Sequence, residues 1–438
     1  MILQTTTIAR NTFVESVRQP IYLIVLLLAG ALQVFSTWST AYSMGYTDSA
    51  EVSKDNKLLL DIGLATIFVA GMLLASFIAT AVVSREIESK TVLTVVSKPI
   101  SRSAVVLGKY LGVAGAIVVA VVIMGSYLLL ALRHGVMSTA ADELDLPVII
   151  FSTTAVLLSL GIAGWCNFYY GWSFPQAAVL LLLPLIVLAY LLTLVIDAHW
   201  KVQSPTVDFR PQIWTACLSL LFALLVLSAL ATAVSTRLGQ VMTIVVCAGV
   251  FMVGLLSNYM IGRHAYRNTS VAIVEKVEPL LASRAAFDQV GDVDQILLRT
   301  PPRGEIAVGA PVYYGPNPNG FRLVASGIRA EDGAVRGIVV SGSDVRRIDL
   351  RIDRDASLVT RPPEPGDHIF LTPTKVNPAA AAVHALVPNF QHYWLLDAVS
   401  QNHPVPAAHI ERLAGYAGTQ IVMFLTLGII LFQRRDVG

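Results

Sequence analysis

Residues 107–132 read LGKYLGVAGAIVVAVVIMGSYLLLAL, and after Lys109 no charge appears until Arg133. A bilayer core of about 30 Å is crossed by about 20 apolar helical residues, so this stretch predicts a transmembrane helix. Seven further runs of that kind lie near 20–38, 59–83, 148–171, 175–196, 213–234, 240–261 and 414–432. The sequence therefore predicts a mainly α-helical polytopic membrane protein with about eight transmembrane segments. Arg10 and Arg18 precede the first run, and Ser39-Thr40-Ala41 loosely resembles a signal-peptide cleavage site. That position lies beyond the roughly 15–30 residues of a signal peptide, so the run is expected to stay as an anchor.

Composition agrees. The chain has 438 residues, 55% hydrophobic and 14% charged, with a mean hydropathy of +0.66. Soluble globular chains carry roughly 25% charged residues. A soluble enzyme, a disordered protein and a nucleic-acid binder with a broad basic face are excluded. Cys166, Cys217 and Cys247 lie far apart in apolar runs, without CxxC spacing, and are expected to pack as small hydrophobes.

Basic residues beside the spans set the expected orientation. With the N-terminus cytosolic, the inner segments hold Arg10, Arg18, Arg85, Lys90, Lys98, Arg102, Lys109, Arg237, Arg434 and Arg435 against Glu15, Glu86, Glu88 and Asp436, a net +6. The short outer loops 38–61, 133–147 and 197–212 carry a net −4, and 262–413 holds sixteen charges of each sign. Both termini are thus expected in the cytosol and the long segment outside. Runs four and five are joined by Trp165-Cys166-Asn167-Phe168-Tyr169-Tyr170-Gly171-Trp172-Ser173-Phe174-Pro175, rich in aromatics and free of Lys and Arg. Two full crossings and a hairpin dipping in from outside both fit; two crossings are the favoured expectation.

The expected domains are a transmembrane core over 1–263, an extracytoplasmic segment over 264–395, and 396–438 with the last span and a cytosolic tail. Within 264–395 a β-rich part is expected over about 305–373. The β-like stretches are Ile306-Ala307-Val308-Gly309-Ala310-Pro311-Val312-Tyr313-Tyr314, Gly337-Ile338-Val339-Val340, Ile348-Asp349-Leu350-Arg351-Ile352 and His368-Ile369-Phe370-Leu371. Pro311 marks an edge strand or a break. Turn signals such as Asn317-Pro318-Asn319-Gly320, Glu331-Asp332-Gly333 and Pro363-Glu364-Pro365-Gly366 separate them, and a helix around 270–290 is expected to lead in. Asn268-Thr269-Ser270 fits a glycosylation sequon. The segment reads as a spacer or as a module for an extracytoplasmic partner.

Catalytic signatures are scarce. No HExxH, GxSxG or paired-histidine motif occurs, and the eight histidines are scattered. The spans lack the mid-membrane ionisable residues of proton relays. Gly108-Lys109 is followed by Tyr110, so no P-loop sequence exists. Any ATP-driven motor must be another polypeptide.

The richest inner stretch is Ser84-Arg85-Glu86-Ile87-Glu88-Ser89-Lys90-Thr91-Val92-Leu93-Thr94-Val95-Val96-Ser97-Lys98-Pro99-Ile100-Ser101-Arg102. Ile87, Thr91 and Val95 recur at four-residue spacing, and Pro99 ends the helix they predict. Such an amphipathic helix can lie at the membrane surface and present a face to a cytosolic partner, or serve as an ordinary linker.

This stretch resembles the signature of ABC transporter permeases of the type-two, export-type family, in which Glu-x-Glu-Ser-Gly-Thr-Leu-Glu runs into Pro-x-x-Arg and then Gly-Lys. Glu86, Glu88, Ser89, Thr91, Pro99, Ser101, Arg102, Gly108 and Lys109 fit; Lys90 replaces the usual glycine and Leu93 the following acid. Residues 9–18 resemble the family's amphipathic N-terminal helix, and Ser235-Thr236-Arg237-Leu238 its inner loop. Residues 387–397 are similar to its segment before the last span, and 432–438 to its ending. The resemblance leaves out 148–196, read as an inserted pair, and the β segment.

The resemblance implies a permease subunit that exports a substrate or extracts it from lipid, as a homodimer or paired with a related permease, in the cell (inner or cytoplasmic) membrane. It further implies a separate cytosolic ABC ATPase subunit carrying ATP and Mg, with no cofactor or metal on this chain. Glu86, Glu88, Thr91, Pro99 and Arg102 are the candidate ATPase-coupling residues; no catalytic residue is assigned. Besides the ATPase, the expected partners are the lipid bilayer and an extracytoplasmic protein at 264–395, with no nucleic acid. Two other classes stay open: a mechanotransmission or assembly protein acting on that outer partner without moving a substrate, and a membrane enzyme.

Overall fold

The computed structural model describes residues 2–39, 50–88, 101–137, 144–279, 292–304, 306, 312–315, 320, 327–329, 335–343, 346–352, 363–372, 374–396, 399 and 405–433. The chain forms two units, Met1–Phe251 with Phe390–Gly438, and Met252–Asn389.

The first unit is helical. It holds α1 (Ile2–Arg18), α2 (Pro20–Ser39), α3 (Ala50–Glu88), α4 (Arg102–His134), α5 (Leu146–Tyr170), α6 (Phe174–Val195), α7 (Pro211–Ser235) and most of α8 (Gln240–Leu255). After α9 (Pro378–Leu386) of the second unit, α10 (Ala407–Gln433) completes it. Among the described residues seven helices are long and apolar enough to cross a membrane, or eight if α8 and the turn after it form one span. The expected polytopic architecture is therefore present, with a small β-sheet region before the last helix.

Helix α4 is the hub and touches α1, α2, α3, α5, α6, α7 and α10. Glycines allow its closest approach. A Cβ on Gly108 would lie 2.9 Å from the Thr5 carbonyl oxygen, and one on Gly112 would lie 2.6 Å from that of Ala9. Gly115, one turn on, faces the Phe13 ring. This small-residue stripe lets backbones meet where lipid supplies no hydrophobic drive between helices. Helix α1 lays Thr12, Ser16 and Val17 into the bundle, and the Tyr22 hydroxyl donates to the Ala116 carbonyl at 2.6 Å.

Helices α5 and α6 form a hairpin. Asp145 caps α5 by accepting from the Val148 amide at 3.2 Å. Gly171 closes it in the left-handed region, at φ 66°. With 25 and 22 residues, the two helices are about 37 and 33 Å long at 1.5 Å per residue. Each is long enough to cross by itself. At the hairpin tip the Gln176 side-chain oxygen accepts from Nε and Nη2 of Arg18, at 3.3 and 3.2 Å. The tip therefore stands at the α1 end of the helical unit.

The second unit contains a seven-stranded antiparallel sheet with strand order β4-β8-β2-β3-β7-β6-β5. The strands are β2 (Ala272–Pro279), β3 (Val293–Leu298), β4 (Tyr313–Gly315), β5 (Gly327–Arg329), β6 (Val335–Ser343), β7 (Arg347–Ile352) and β8 (His368–Phe370). A separate pair joins β1 (Tyr266–Arg267) to β9 (Lys375–Val376). Val274, Ile296, Leu298, Val340, Ile348, Leu350 and Ile369 form much of its core. Strand β4 sits at one edge of the sheet; Pro311 lies outside the described residues. One face of β3 carries Asp294, Ile296 and Leu298, with Asp292 just before the strand, all buried. Burial, reinforced by Asp292, pushes the Asp294 carboxyl up to about 6.

Three expectations need correction. The helix around 270–290 is not formed at 272–279, which is β2; residues 280–291 lie outside the described residues. Ile273, Val274 and Val277 are β-branched, and β2 gains two partners, β3 and β8. The span read over 240–261 is not one straight helix: α8 ends at Leu255, and a π-helical turn, Asn258–Gly262, follows a 52° bend. The Asn258 side-chain oxygen accepts from Asn389 Nδ2 at 2.7 Å and lies 3.2 Å from His384 Nε2. Finally, Asn268 is buried at 9% exposure, so the sequon is not presented to solvent.

Candidate functional site

The site of interest is where 84–102 meets the bundle. Glu86 and Glu88 lie in the last turn of α3; that part of the segment continues a span, and the two side chains lie outside the described residues. Thr91 and Pro99 also fall outside the described residues. Arg102 is the first residue of α4, directly after its cap, Ser101, whose hydroxyl accepts from the Ala104 amide at 3.3 Å.

Arg102 reaches the far end of the chain. Its Nη1 donates to the carbonyls of Gln433 at 2.7 Å and Phe432 at 3.3 Å. Its guanidinium carbon stands 5.9 Å from the centre of the Phe432 ring. From the turn after α7, Arg237 Nε donates to the Leu431 carbonyl at 2.9 Å. The last carbonyls of a helix have no partners within it and carry the negative end of its dipole. Two arginines, one opening α4 and one in the turn after α7, thus hold the end of α10. Behind them, a Cβ on Gly428 would lie 2.9 Å from Ala233 Cα, so α10 and α7 are in backbone contact.

One end of the helical unit therefore gathers the α3 terminus, the start of α4, α1, the α5–α6 tip and the termini of α7 and α10. The first turns of α4 bear on α1 through Gly108 and Gly112 and hold α10 through Arg102.

The opposite end is tied by Arg133, in the last turn of α4. Its Nε lies 3.2 Å from Asp145 Oδ2 and 3.5 Å from Asp208 Oδ2. Its Nη2 donates to the Ile196 carbonyl at 2.6 Å. Gln203 Nε2 donates to Asp208 Oδ2 at 2.6 Å. The cation joins the ends of α4, α5 and α6 to the loop before α7, with the Arg133 and Asp145 side chains 8% and 9% exposed. Beside it an apolar cavity of about 740 Å³ opens between α2, α4 and α5, walled by Leu28, Leu32, Phe35, Tyr127 and Val156, with Trp38 and His134 at one end.

Sequence reading found Arg102 and left other parts of this arrangement unassigned. Arg237 carried a resemblance but no role. The glycines of α4 show a small-xxx-small spacing that could have revealed the α1 contact. Arg133 was counted only as a loop charge. Cys217 and Cys247 are buried and Cys166 half-buried, all free thiols.

A search of curated proteins finds no match to the chain. The family described as "ABC-2 family transporter protein" has a model that matches residues 6–164. The match takes in most of α1, all of α2 to α4 and the whole of 84–102, and runs into α5, which the resemblance had left out. With its apolar spans and this match, the chain is a multi-pass membrane protein whose residues 6–164 are similar to the ABC-2 transporter family.

Proposed function

We propose that this chain is the permease subunit of an ABC transporter, that it is moved by a separate cytosolic ATPase that binds ATP and Mg, and that it exports a substrate or extracts it from the lipid. In this reading both termini and 84–102 face the cytosol of a cell-membrane protein, 264–395 faces outward, and two permease subunits, identical or related, form the pathway. Glu86, Glu88 and Thr91 meet the ATPase, Pro99 ends the contacting helix, and Arg102 passes the movement on.

The observation that carries the reading is the double arginine hold on α10. ATP binding would bias a two-state equilibrium of the membrane dimer, as any ligand biases a bistable element. A contact on 84–102 acts at the start of α4, and Arg102 converts a shift there into a shift of the last span. Arg102 is a positioning residue in this scheme.

The test uses the permease co-purified with its ATPase. In the wild type, ATP should change hydrogen exchange in 425–433. With Arg102→Ala and Arg237→Ala together, the ATPase should still co-purify, but that response should vanish. Basal exchange at the α10 end should rise about tenfold, since a hydrogen bond from a charged donor contributes about 1.5 kcal/mol or more. An unchanged ATP response in the double variant would sink the proposed route.

A further inference from the structure

At the tip of the α5–α6 hairpin a cavity of about 540 Å³ opens beside the end of α1. Its lining is divided by chemistry. Near the tip stand Arg18, Ser173 and Gln176; one turn deeper along the two helices stand Ile162, Leu180 and Leu181. Gln176 orients Arg18 through Nε and Nη2, which leaves Nη1 with no hydrogen bond inside the described protein. The Ser173 hydroxyl makes no capping bond. No carboxylate lines the cavity, and Glu15, the acid on α1, is not among its walls.

The rim sets the depth. Trp165, Phe168, Tyr169, Tyr170 and Trp172 are all exposed, Phe168 at 81%. A cluster of exposed Trp and Tyr marks the headgroup level of a bilayer. The cavity thus offers a cation and a hydroxyl at headgroup depth and an aliphatic wall below, the polarity profile of a single anionic lipid.

We propose that this cavity binds one anionic phospholipid from the leaflet on the α1 side. Its phosphate pairs with Arg18 and Ser173, and an acyl chain lies along Ile162, Leu180 and Leu181. The lipid adds to the packing of α1 on the hairpin and to the Arg18–Gln176 hydrogen bonds that join them. The site stands on its own geometry and does not depend on the ATPase reading.

The test is native mass spectrometry of the full chain released from mixed phosphatidylcholine–phosphatidylglycerol vesicles. Wild-type protein should retain phosphatidylglycerol in preference to phosphatidylcholine. Arg18→Gln should cut that preference about fivefold, the factor expected for one basic residue at an anionic surface. Leu180→Trp, which fills the apolar wall, should lower retention of both lipids. If Leu180→Trp fails to fold, Arg18→Gln is read alone, with its elution and thermal midpoint checked against wild type. Equal retention of the two lipids by wild type and Arg18→Gln would overturn the proposal. So would displacement of the bound species by inorganic phosphate, which marks a free-anion site, or occlusion of the cavity by a second copy of the chain.

Discussion

Replacing Arg133 with methionine should destabilise the helical unit by about 3–5 kcal/mol, the usual cost of removing one partner from a buried ion pair. Two carboxylates, Asp145 and Asp208, reach the same guanidinium nitrogen at 3.2 and 3.5 Å. Without it the buried Asp145 carboxylate and the partly exposed Asp208 carboxylate lose their shared cation, and the Ile196 carbonyl loses its donor. Methionine keeps much of the apolar stem, so the loss reports charge and hydrogen bonding more than volume. Arg133→Lys should recover part of the stability, because a single ammonium cannot reach three acceptors with the geometry of a planar fork. Adding Asp145→Asn and Asp208→Asn to Arg133→Met should recover most of it, since removing every charge of a buried cluster is often close to neutral. The measurement is the thermal unfolding midpoint of the detergent-solubilised chain. A midpoint unchanged by Arg133→Met would show that the cluster is solvated and carries little.

Gly112→Val should be of similar size and act by sterics alone. Even a Cβ at Gly112 would sit 2.6 Å from the Ala9 carbonyl oxygen and 2.5 Å from Thr12 Cβ. The first obstacle is backbone and cannot rotate away, so α1 must separate from α4. Overpacking of this kind costs about 1–3 kcal/mol, occasionally more, and displacing α1 also exposes Thr12, Ser16 and Val17. Gly249→Val is the matched control, because a Cβ there meets nothing within 4 Å. Limited proteolysis near residues 2–18 should become faster in Gly112→Val and stay unchanged in Gly249→Val. Equal protection in both variants would contradict the close packing of α1 on α4.

Much of the fold was legible because membrane spanning is a length constraint. Uncharged runs of about 20 residues have few other fates, and their positions match the helices. The break after Leu255 was not legible, since no proline marks it. It rests on Asn258, whose partners His384 and Asn389 come 126 and 131 residues later. The misread of 272–279 has a similar origin. A short apolar stretch is ambiguous between helix and strand until its sheet neighbours are known, and here they are β3 and β8.

The candidate site divides the same way. Residues 84–102 stood out through their own spacing and charge and through a resemblance that the family match then covered. The hold on α10 could not be read, because Arg102 and Phe432 are 330 residues apart and a backbone carbonyl leaves no trace in sequence. The Arg133 cluster was hidden for the same reason: its partners come from a cap and two loops, and a charge tally assigns them to sides, not to one another.

The proposed grip of a cytosolic ATPase on 84–102 is open to a direct test. The direct measurement is a mild-detergent pull-down of the tagged chain from its native membranes, with and without the double charge reversal Glu86→Lys and Glu88→Lys, reading which Walker-motif protein is recovered. One ATPase should be recovered with the wild type and lost with the double variant, while the variant keeps its thermal midpoint. Recovery of the same ATPase at wild-type level by the double variant, or of none with the wild type in any nucleotide state, would contradict the proposed grip.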